Sequence, residues 1–307
     1  MNARPPKKPR DLVDGVLLID KPVGLSSNDA LIKAKRVVNA KKAGHTGTLD
    51  PFATGLLPLC FGEATKFSQD LLEADKTYEA VVHLGITTTT GDTEGDVVET
   101  RPVDVTVEQI EAALARFRGP IMQVPPMYSA LKRDGKALYE YAREGIVLER
   151  DARPVTIHEL AMLAYDAPML TIRVNCSKGT YVRVLGEDIG AALGCGAHLN
   201  ALRRIQVGAL TVAGMVTLEQ LQAHDNPLSL LAPVDALLSS FPPVELTPEL
   251  AARFLNGQRL ALNREPVALP ETQGRVRVYH DGKLLGTAIL QEYGVLAPER
   301  LIARPQA

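Results

Sequence analysis

Several features that define common protein classes are missing from this chain of 307 residues. Its three cysteines, Cys60, Cys176 and Cys195, lie far apart without a C-x-x-C pair, which indicates neither a disulfide framework nor a zinc site. No apolar run approaches the length of a membrane span, and no apolar signal region follows the basic opening MNARPPKKPR. We therefore expect a cytoplasmic protein in a reducing compartment.

The chain also lacks a large excess of charge, because its formal net charge is −2. That balance argues against a general nucleic-acid-binding protein. The charges are uneven, however: residues 1–50 contain ten Lys and Arg against five Asp and Glu, and residues 51–246 contain sixteen against twenty-five. The basic residues of one short N-terminal stretch are Lys33, Lys35, Arg36, Lys41 and Lys42. They could bind a polyanion locally, and a solvated helix face is the alternative.

No internal repeat is present, and the first ten residues are expected to form a disordered basic tail. With 46% hydrophobic residues, the rest of the chain can bury a large core. The proline-rich segment FPPVELTP, from Phe241, is a candidate linker between a large unit, 11–240, and a small one, 247–307. Within the large unit, 123–153 is predicted to leave the main sheet, and long insertions of this kind are often functional.

Local patterns predict several elements of the large unit. An apolar strand covers 15–20, and a helix with the sequence ALIKAKRVVNA follows capping residues Ser27-Asn28-Asp29. KTYEAVVHLG alternates in the manner of a strand, and the capping box that begins at Thr106 starts a helix that Gly119-Pro120 stops.

From residue 170 onward, the sequence predicts a strand, a turn, and a helix that Thr180 caps and Gly194 ends. In the small unit, PELAARFLNG predicts a helix, and RVRVYH and KLLGTAIL predict a hairpin around Asp281-Gly282. The small unit should therefore be mostly β.

One loop, AGHTGTLDPFATG at 43–55, combines small residues with a His, a carboxylate and a Phe. Asp50 precedes a proline, which pushes its backbone away from helical dihedrals and stiffens the turn. The glycines Gly44, Gly47 and Gly55 permit the close approach of another backbone or of a flat ligand. Ordinary turn chemistry is the alternative interpretation, because Asp-Pro with nearby Thr and Gly is common in turns.

Three familiar enzyme schemes fit this loop poorly. A P-loop needs a Lys that the loop lacks, and the six histidines are scattered without metal-binding spacing. A glycosidase needs a second carboxylate, but nothing marks Glu63 or Asp75 as that partner. What remains is a single carboxylate that works without a metal or cofactor.

The loop and six further segments resemble the TruB family of tRNA pseudouridine synthases. The loop motif is GHTGTLDPFATGLLPLCFGEATKF, at 44–67, and the other motifs occur in the family's order over about residues 11–235. These segments are DKPVGLSS, KTYEA, GDTEGD, QVPPMYSALKRDGKALYEYAREG, CSKGTYVRVLGEDIG and GAHLNALRR. The small unit resembles a short PUA-type RNA-binding module, with weaker motifs.

The resemblance implies an α+β fold: a pseudouridine synthase catalytic domain on a mixed, mainly antiparallel sheet, followed by a small, mostly β, PUA-like domain. It implies isomerisation of uridine 55 in the T arm of tRNA, in which the uracil is detached from C1′, turned, and rejoined through C5. No cofactor or metal is implied, and 123–153 should clamp the RNA. The partner would be the tRNA T stem-loop, without a guide RNA or a membrane, and we expect a monomer.

The resemblance assigns catalytic roles to Asp50, Tyr78 and Arg183. Asp50 matches the family's essential aspartate, either as a nucleophile at C1′ or as a stabiliser of positive charge there. Arg183 matches the arginine that pairs with it and would keep it ionised. Tyr78 matches the tyrosine that stacks on the target base and is a candidate proton acceptor. By themselves, Arg183 would be a structural helix residue and Tyr78 a plain strand aromatic.

The resemblance also assigns RNA-binding roles. His45 would fill the gap left by the extruded nucleotide, which lowers the cost of unstacking a base. Tyr181 and Leu202 correspond to substrate-pocket residues, although Leu202 alone has the character of a core residue. Lys66 and Lys21 are candidate phosphate contacts, and ordinary surface lysines are the alternative.

Three other functions remain compatible with these residues. The first is a tRNA-binding folding factor whose pocket only binds, and the second is an N-glycosidase that releases free uracil. The third is a subunit of a guide-RNA-directed particle, which shares the catalytic motifs.

Overall fold

The computed structural model describes residues 9–302, so all but residues 9 and 10 of the predicted basic tail lie outside the described part. The helices are α1 (Ser27–Val37), α2 (Ser68–Glu73), α3 (Val107–Ala115), α4 (Leu138–Arg143), α5 (Val182–Ala192), α6 (Leu218–Ala223) and α7 (Pro248–Leu255). Short 3-10 helices cover Gly62–Lys66, Pro227–Leu230, Val234–Leu238 and Glu292–Gly294.

The strands of the large unit come first in the chain. They are β1 (Gly15–Lys21), β2 (Ala43–His45), β3 (Thr54–Phe61), β4 (Lys76–Leu84), β5 (Ile86–Thr88), β6 (Val97–Thr100), β7 (Gly119–Gln123), β8 (Lys132–Arg133), β9 (Lys136–Ala137), β10 (Arg153–Asp166), β11 (Met169–Cys176), β12 (Ala197–Val207) and β13 (Leu210–Thr211). Those of the small unit are β14 (Pro243–Glu245), β15 (Leu260–Ala261), β16 (Gly274–His280), β17 (Lys283–Leu290) and β18 (Val295–Leu301).

A nine-stranded sheet forms the large unit, in the order β1-β3-β12-β4-β11-β10-β7, with β2 on β3 and β13 on β12. Every pairing is antiparallel except the parallel one between β12 and β3. The predicted mixed, mainly antiparallel sheet is therefore confirmed. Strand β11 alternates regularly between a buried and a half-exposed face, whereas β3 is buried along almost its whole length. The buried faces join α1, α3 and α5 in one core.

The caps of two helices, α1 and α5, differ from the predicted ones. The α1 helix is capped by Ser26, whose hydroxyl oxygen accepts the Asp29 N–H at 3.1 Å, and not by the residues from Ser27 onward. Thr180 does not cap α5, because its hydroxyl donates to the Ser177 carbonyl at 2.9 Å within the preceding turn. The capping box between Thr106 and Gln109 is confirmed at the start of α3.

The segment 123–153 leaves the main sheet as predicted, since β7 ends at Gln123 and β10 begins at Arg153. Between them lie the small β8–β9 hairpin and α4. Because β7 and β10 are themselves paired, both ends of the excursion are anchored on the same edge of the sheet.

A second sheet of five strands forms the small unit, in the order β14-β16-β17-β18-β15, with α7 packed on it. The predicted hairpin is present, and Asp281 and Gly282 both have positive φ, as a two-residue turn requires. The sheet begins at Pro243, inside the candidate linker, because Val244 is fully buried against β16.

The two units share contacts. Leu284 and Ile302 of the small unit pack against an apolar cluster of the large unit that includes Phe67 and Leu71. Arg275 of β16 pairs with Asp70 of α2 and with Glu299 of β18.

Candidate active site

The loop that joins β2 to β3 is held from both sides. The Ser27 hydroxyl donates to the Leu49 carbonyl at 3.0 Å and accepts the Leu49 N–H at 2.7 Å. Phe52, unexpected in a solvated loop, is 7% exposed and packs in the main core. The apolar ring therefore anchors the loop, and the Asp50 carboxylate beside it remains half-exposed.

Asp50 forms an ion pair with Arg183 of α5, with 3.0 Å between Oδ2 and Nη2. The Arg183 side chain is only 4% exposed, whereas that of Asp50 is 37% exposed. A buried guanidinium needs several partners, and Arg183 also donates to the carbonyls of Thr90 at 3.0 Å and Tyr128 at 2.6 Å. These bonds orient its planar group toward Asp50.

Asp92 is a member of this cluster that sequence reasoning did not single out. Its Oδ2 lies 3.3 Å from Nη1 of Arg183, and its side chain is almost fully buried. Its Oδ1 accepts the Thr90 hydroxyl at 2.5 Å and the Glu94 N–H at 3.0 Å. The GDTEGD motif is the sequence signal for it, although that motif alone has the composition of an ordinary polar loop.

Burial raises the pKa of Asp50 above its ordinary value. The Arg183 guanidinium opposes this shift, and the neighbouring Asp92 carboxylate adds to it. The sequence predicted that Arg183 would favour the ionised form of Asp50. The charge and the hydrogen bond of Arg183 do lower the pKa of Asp50, and Lys21 adds to that effect, but the loss of hydration outweighs them in the net direction.

A cleft of about 250 Å³ opens over the ion pair. Four of the predicted site residues besides Asp50 line it, namely Tyr78 on β4, Tyr181 before α5, Arg183 on α5 and Leu202 on β12. The strand order explains this convergence, because β4 and β12 are neighbours and α5 packs on β12. Burial raises the pKa of Tyr78, opposed by the Arg204 guanidinium, and burial likewise raises the pKa of Tyr181.

A second cavity, of about 680 Å³, adjoins the first and includes Asp50, Asp92, Glu94, His45 and Arg183 in its lining. Asp50 therefore lies where the two spaces meet. The Nδ1 atom of His45 is buried and has no hydrogen-bond partner within residues 9–302. Burial, and then the charge of Arg204, lower the pKa of His45, so its ring is neutral at neutral pH.

Arg204 is a second residue that sequence reasoning missed. It is 1% exposed and donates to the Leu56 carbonyl at 2.8 Å and the Gly47 carbonyl at 3.1 Å. These bonds tie the Asp50 loop to β3 from β12. The motif GAHLNALRR contains Arg204, but sequence alone does not distinguish it from its neighbour Arg203, which pairs with Asp20.

Lys21, a candidate phosphate contact in the sequence, does not lie at the surface. It is fully buried, and its ammonium donates to the carbonyls of Pro22 at 2.9 Å, Leu25 at 2.6 Å and Pro51 at 3.3 Å. Burial lowers its pKa to about 8, opposed first by the charge of Asp50. Because its three donors are used by backbone oxygens, Lys21 fastens the Asp50 loop to β1 and has no free donor for a phosphate.

Lys66 lies apart from the cleft lining. Its ammonium pairs with Glu63 at 2.6 Å and donates to the Leu301 carbonyl of β18 at 2.9 Å. Lys66 therefore joins the two units, while about a third of its side chain stays exposed.

Within residues 9–302, no cluster of three or more His, Cys, Asp or Glu side chains could hold a metal ion. In the same range, no helix is long and apolar enough to span a membrane.

Three family models match consecutive parts of the chain. Residues 35–182 match the TruB family pseudouridylate synthase N-terminal domain, and 183–239 match the tRNA pseudouridylate synthase B C-terminal domain. Residues 242–302 match the C-terminal model of pseudouridine synthase II TruB.

Curated relatives match over almost the whole length. A tRNA pseudouridine synthase B from Burkholderia lata is 65% identical over 300 residues, which cover 97% of this chain and 92% of the relative. The chain belongs to the TruB family. A second family member of the same description, from Ralstonia nicotianae, is 64% identical and covers 96% of each chain.

Solved structures confirm the fold of this TruB family member. A Cbf5-Nop10-Gar1 complex matches with a TM-score of 0.74 at 25% identity, covering 94% of this chain and 85% of that one. An H/ACA RNP bound to a substrate RNA containing 2′-deoxyuridine also gives 0.74, at 24% identity, with 95% and 86% covered. The predicted α+β synthase fold with a β-rich C-terminal domain is thus confirmed.

Proposed function

We propose that this protein is a tRNA pseudouridine synthase that isomerises uridine 55 in the T arm of tRNA. The observation that carries the proposal is the ion pair between Asp50 and the buried Arg183 at the floor of a base-sized cleft. Relatives described as tRNA pseudouridine synthase B, at 65% identity, support the substrate class.

The reaction requires Asp50 as a carboxylate beside C1′ of the target nucleotide. Either Asp50 attacks C1′ as the C1′–N1 bond breaks, or it stabilises positive charge at C1′ while a proton leaves C2′. The detached uracil turns and C5 bonds to C1′, which displaces the Asp50 carboxylate in the first route and is accompanied by return of a proton to C2′ in the second. The C5 proton then leaves, and N1 gains a proton. The product is an isomer, so no atom enters or leaves overall.

Arg183 supplies the charge that makes this carboxylate usable in a partly dry site. Burial alone favours the protonated acid, and the 3.0 Å ion pair counteracts it. Exclusion of water by the bound RNA would also protect the intermediate from hydrolysis.

Tyr78 and Leu202 would hold the uracil while it is detached. They line the same cleft as Asp50, from adjacent strands. Because the pKa of Tyr78 is raised, the side chain enters the reaction as a phenol. That state favours stacking and hydrogen-bond donation over the role of an initial proton acceptor. Tyr181, which also lines the cleft, would contact the adjoining sugar or base.

His45 would occupy the gap left by the extruded nucleotide. Its neutral, half-buried ring borders the larger cavity next to Asp50. A flat uncharged ring can stack on bases, which offsets part of the cost of removing one base from the stack.

The excursion 123–153 and the small unit also have roles in the proposed function. The excursion 123–153 contributes Tyr128, Ser129, Tyr139 and Arg143 to the lining of the larger cavity, which supports a clamp over the RNA. We propose that the small unit assists RNA binding, that the enzyme acts as a monomer without a guide RNA, metal or cofactor, and that it works in the cytoplasm.

The test uses an unmodified T-arm hairpin incubated with the purified chain alone. Pseudouridine is mapped by nucleotide-resolution mass spectrometry after a derivatisation that adds mass to pseudouridine but not to uridine. We expect one loop uridine to become pseudouridine, with the mass of the RNA unchanged before derivatisation. Release of free uracil would establish an N-glycosidase instead. Tight binding without any conversion would establish a folding factor, and conversion only after addition of a guide RNA would establish a guided subunit.

A further inference from the structure

An exposed basic surface lies beside the candidate active site, and neither the ion pair nor the cleft uses it. We define the α1 basic surface as Arg10, Lys35, Arg36, Lys41 and Lys42. Lys33 is left out because it lies close enough to Glu219 of α6 to act on that carboxyl. Arg10, Arg36, Lys41 and Lys42 are exposed, and Lys35 is half-exposed.

Within residues 9–302, none of these five cations forms an ion pair with a carboxylate. Asp11 lies among them and contributes one negative charge, and its carboxylate accepts the Asn39 side-chain amide at 2.8 Å. The Gly62 N–H donates to the Lys42 carbonyl, which brings the next residue, Glu63, close to this surface. Glu63 pairs with Lys66. The surface therefore keeps a clear positive excess.

The surface is continuous with the larger cavity at two points. Ser27 and Asn28, at the start of α1, line that cavity, and α1 continues from there to Lys35 and Arg36 about 10 to 14 Å further on. Lys41 and Lys42 lead directly into β2, which ends at the cavity-lining His45. Gly44 lies between them, and the space beside its Cα is open.

The cavity itself offers little attraction for a polyanion. Its lining contains Asp50, Asp92, Glu94 and Asp96 against only two arginines. An RNA that inserts one nucleotide there must gain its electrostatic affinity outside the cavity, from cations along its phosphates. The net charge of −2 makes a local patch more important still.

We propose that the α1 basic surface binds the sugar–phosphate backbone of the RNA substrate next to the inserted nucleotide, and that it sets affinity without affecting the chemical step. The inference depends on the proposed function for the identity of the ligand. Helix-dipole stabilisation explains Lys35 and Arg36 at the end of α1 in part, but it does not explain Lys41 and Lys42, which follow the helix.

The test compares Lys41→Gln/Lys42→Gln with the matched control Arg116→Gln/Arg118→Gln. The control pair removes two exposed cations of the large unit that line neither of the two cavities at Asp50. Binding of an unmodified tRNA transcript is measured by filter retention between 50 and 200 mM salt. Single-turnover conversion is measured at saturating enzyme.

We expect the Lys41/Lys42 variant to bind about tenfold more weakly at 50 mM salt, with a slope of log affinity against log salt that is shallower by about two. Its single-turnover rate at saturation should equal that of the parent. A loss no greater than that of the control pair would overturn the proposal, as would a slower saturated rate with unchanged affinity. Because binding is scored separately, a parent that binds tRNA without converting it would refute the proposed function alone.

Discussion

Asp50 lies in an environment that disfavours its charge, and Arg183 is the residue that compensates. Burial and the nearby Asp92 raise the pKa of Asp50, whereas Arg183 lowers it. In the folded protein, a raised carboxyl pKa means that the ionised form is penalised, so this group contributes less stability as pH rises through that pKa. Catalytic residues often carry such a cost.

This arrangement predicts the acid limb of the pH profile. Activity needs ionised Asp50, so the single-turnover rate should fall on acidification with an apparent pKa above the ordinary aspartate value of 3.8. Asp92→Asn removes a negative neighbour and should move that limb to lower pH. Asp96→Asn is the control: Asp96 lines the same cavity, but it is not among the charges that shift the pKa of Asp50, so the limb should stay in place. A limb that shifts equally in both variants would contradict the assignment.

At the scale of elements, the position of Arg183 depends on the close packing of α5 on β12. A Cβ added at Gly190 would lie 2.4 Å from the Ala197 nitrogen, and one at Gly186 would lie 2.8 Å from the Leu199 side chain. Only a residue without a side chain allows the helix to approach the strand this closely.

Gly190→Ala should therefore push α5 off the sheet and displace Arg183. We expect a loss of about 1–3 kcal/mol in the free energy of unfolding, measured by urea denaturation, together with a slower saturated rate. Ala191→Ser, on the exposed face of the same helix, should change neither quantity. Unchanged stability in Gly190→Ala would show that the helix is free to shift.

What the sequence predicts at this scale follows from how local each signal is. The capping box at Thr106 and the Asp281-Gly282 turn involve neighbouring residues, and both are confirmed. Lys21 and Lys66 could not be placed from the sequence, because each also donates to a distant carbonyl, 30 residues away for Lys21 and 235 residues away for Lys66. Asp92 and Arg204 escaped notice for the same reason, since their importance arises from contacts with α5 and the Asp50 loop.

At the scale of the whole molecule, the two units are joined by charges as well as by apolar contacts. Arg275 pairs with Asp70 of the large unit and Glu299 of its own sheet, and its side chain is 26% exposed. Arg275→Ala should lower the free energy of unfolding by about 2 kcal/mol and make the small unit more sensitive to proteolysis. The exposed Arg264→Ala is the control. If the two variants were equally resistant, the junction would not depend on Arg275.

The central claim is that Asp50 performs the chemistry while other residues bind the RNA. The most direct measurement compares Asp50→Asn with the parent for tRNA affinity, melting temperature and single-turnover conversion in one series. We predict parent-like affinity and no conversion. The melting temperature should stay within a few degrees of that of the parent, because Arg183 keeps Asp92 and two carbonyls as partners. Measurable conversion by a folded Asp50→Asn protein would contradict the claim.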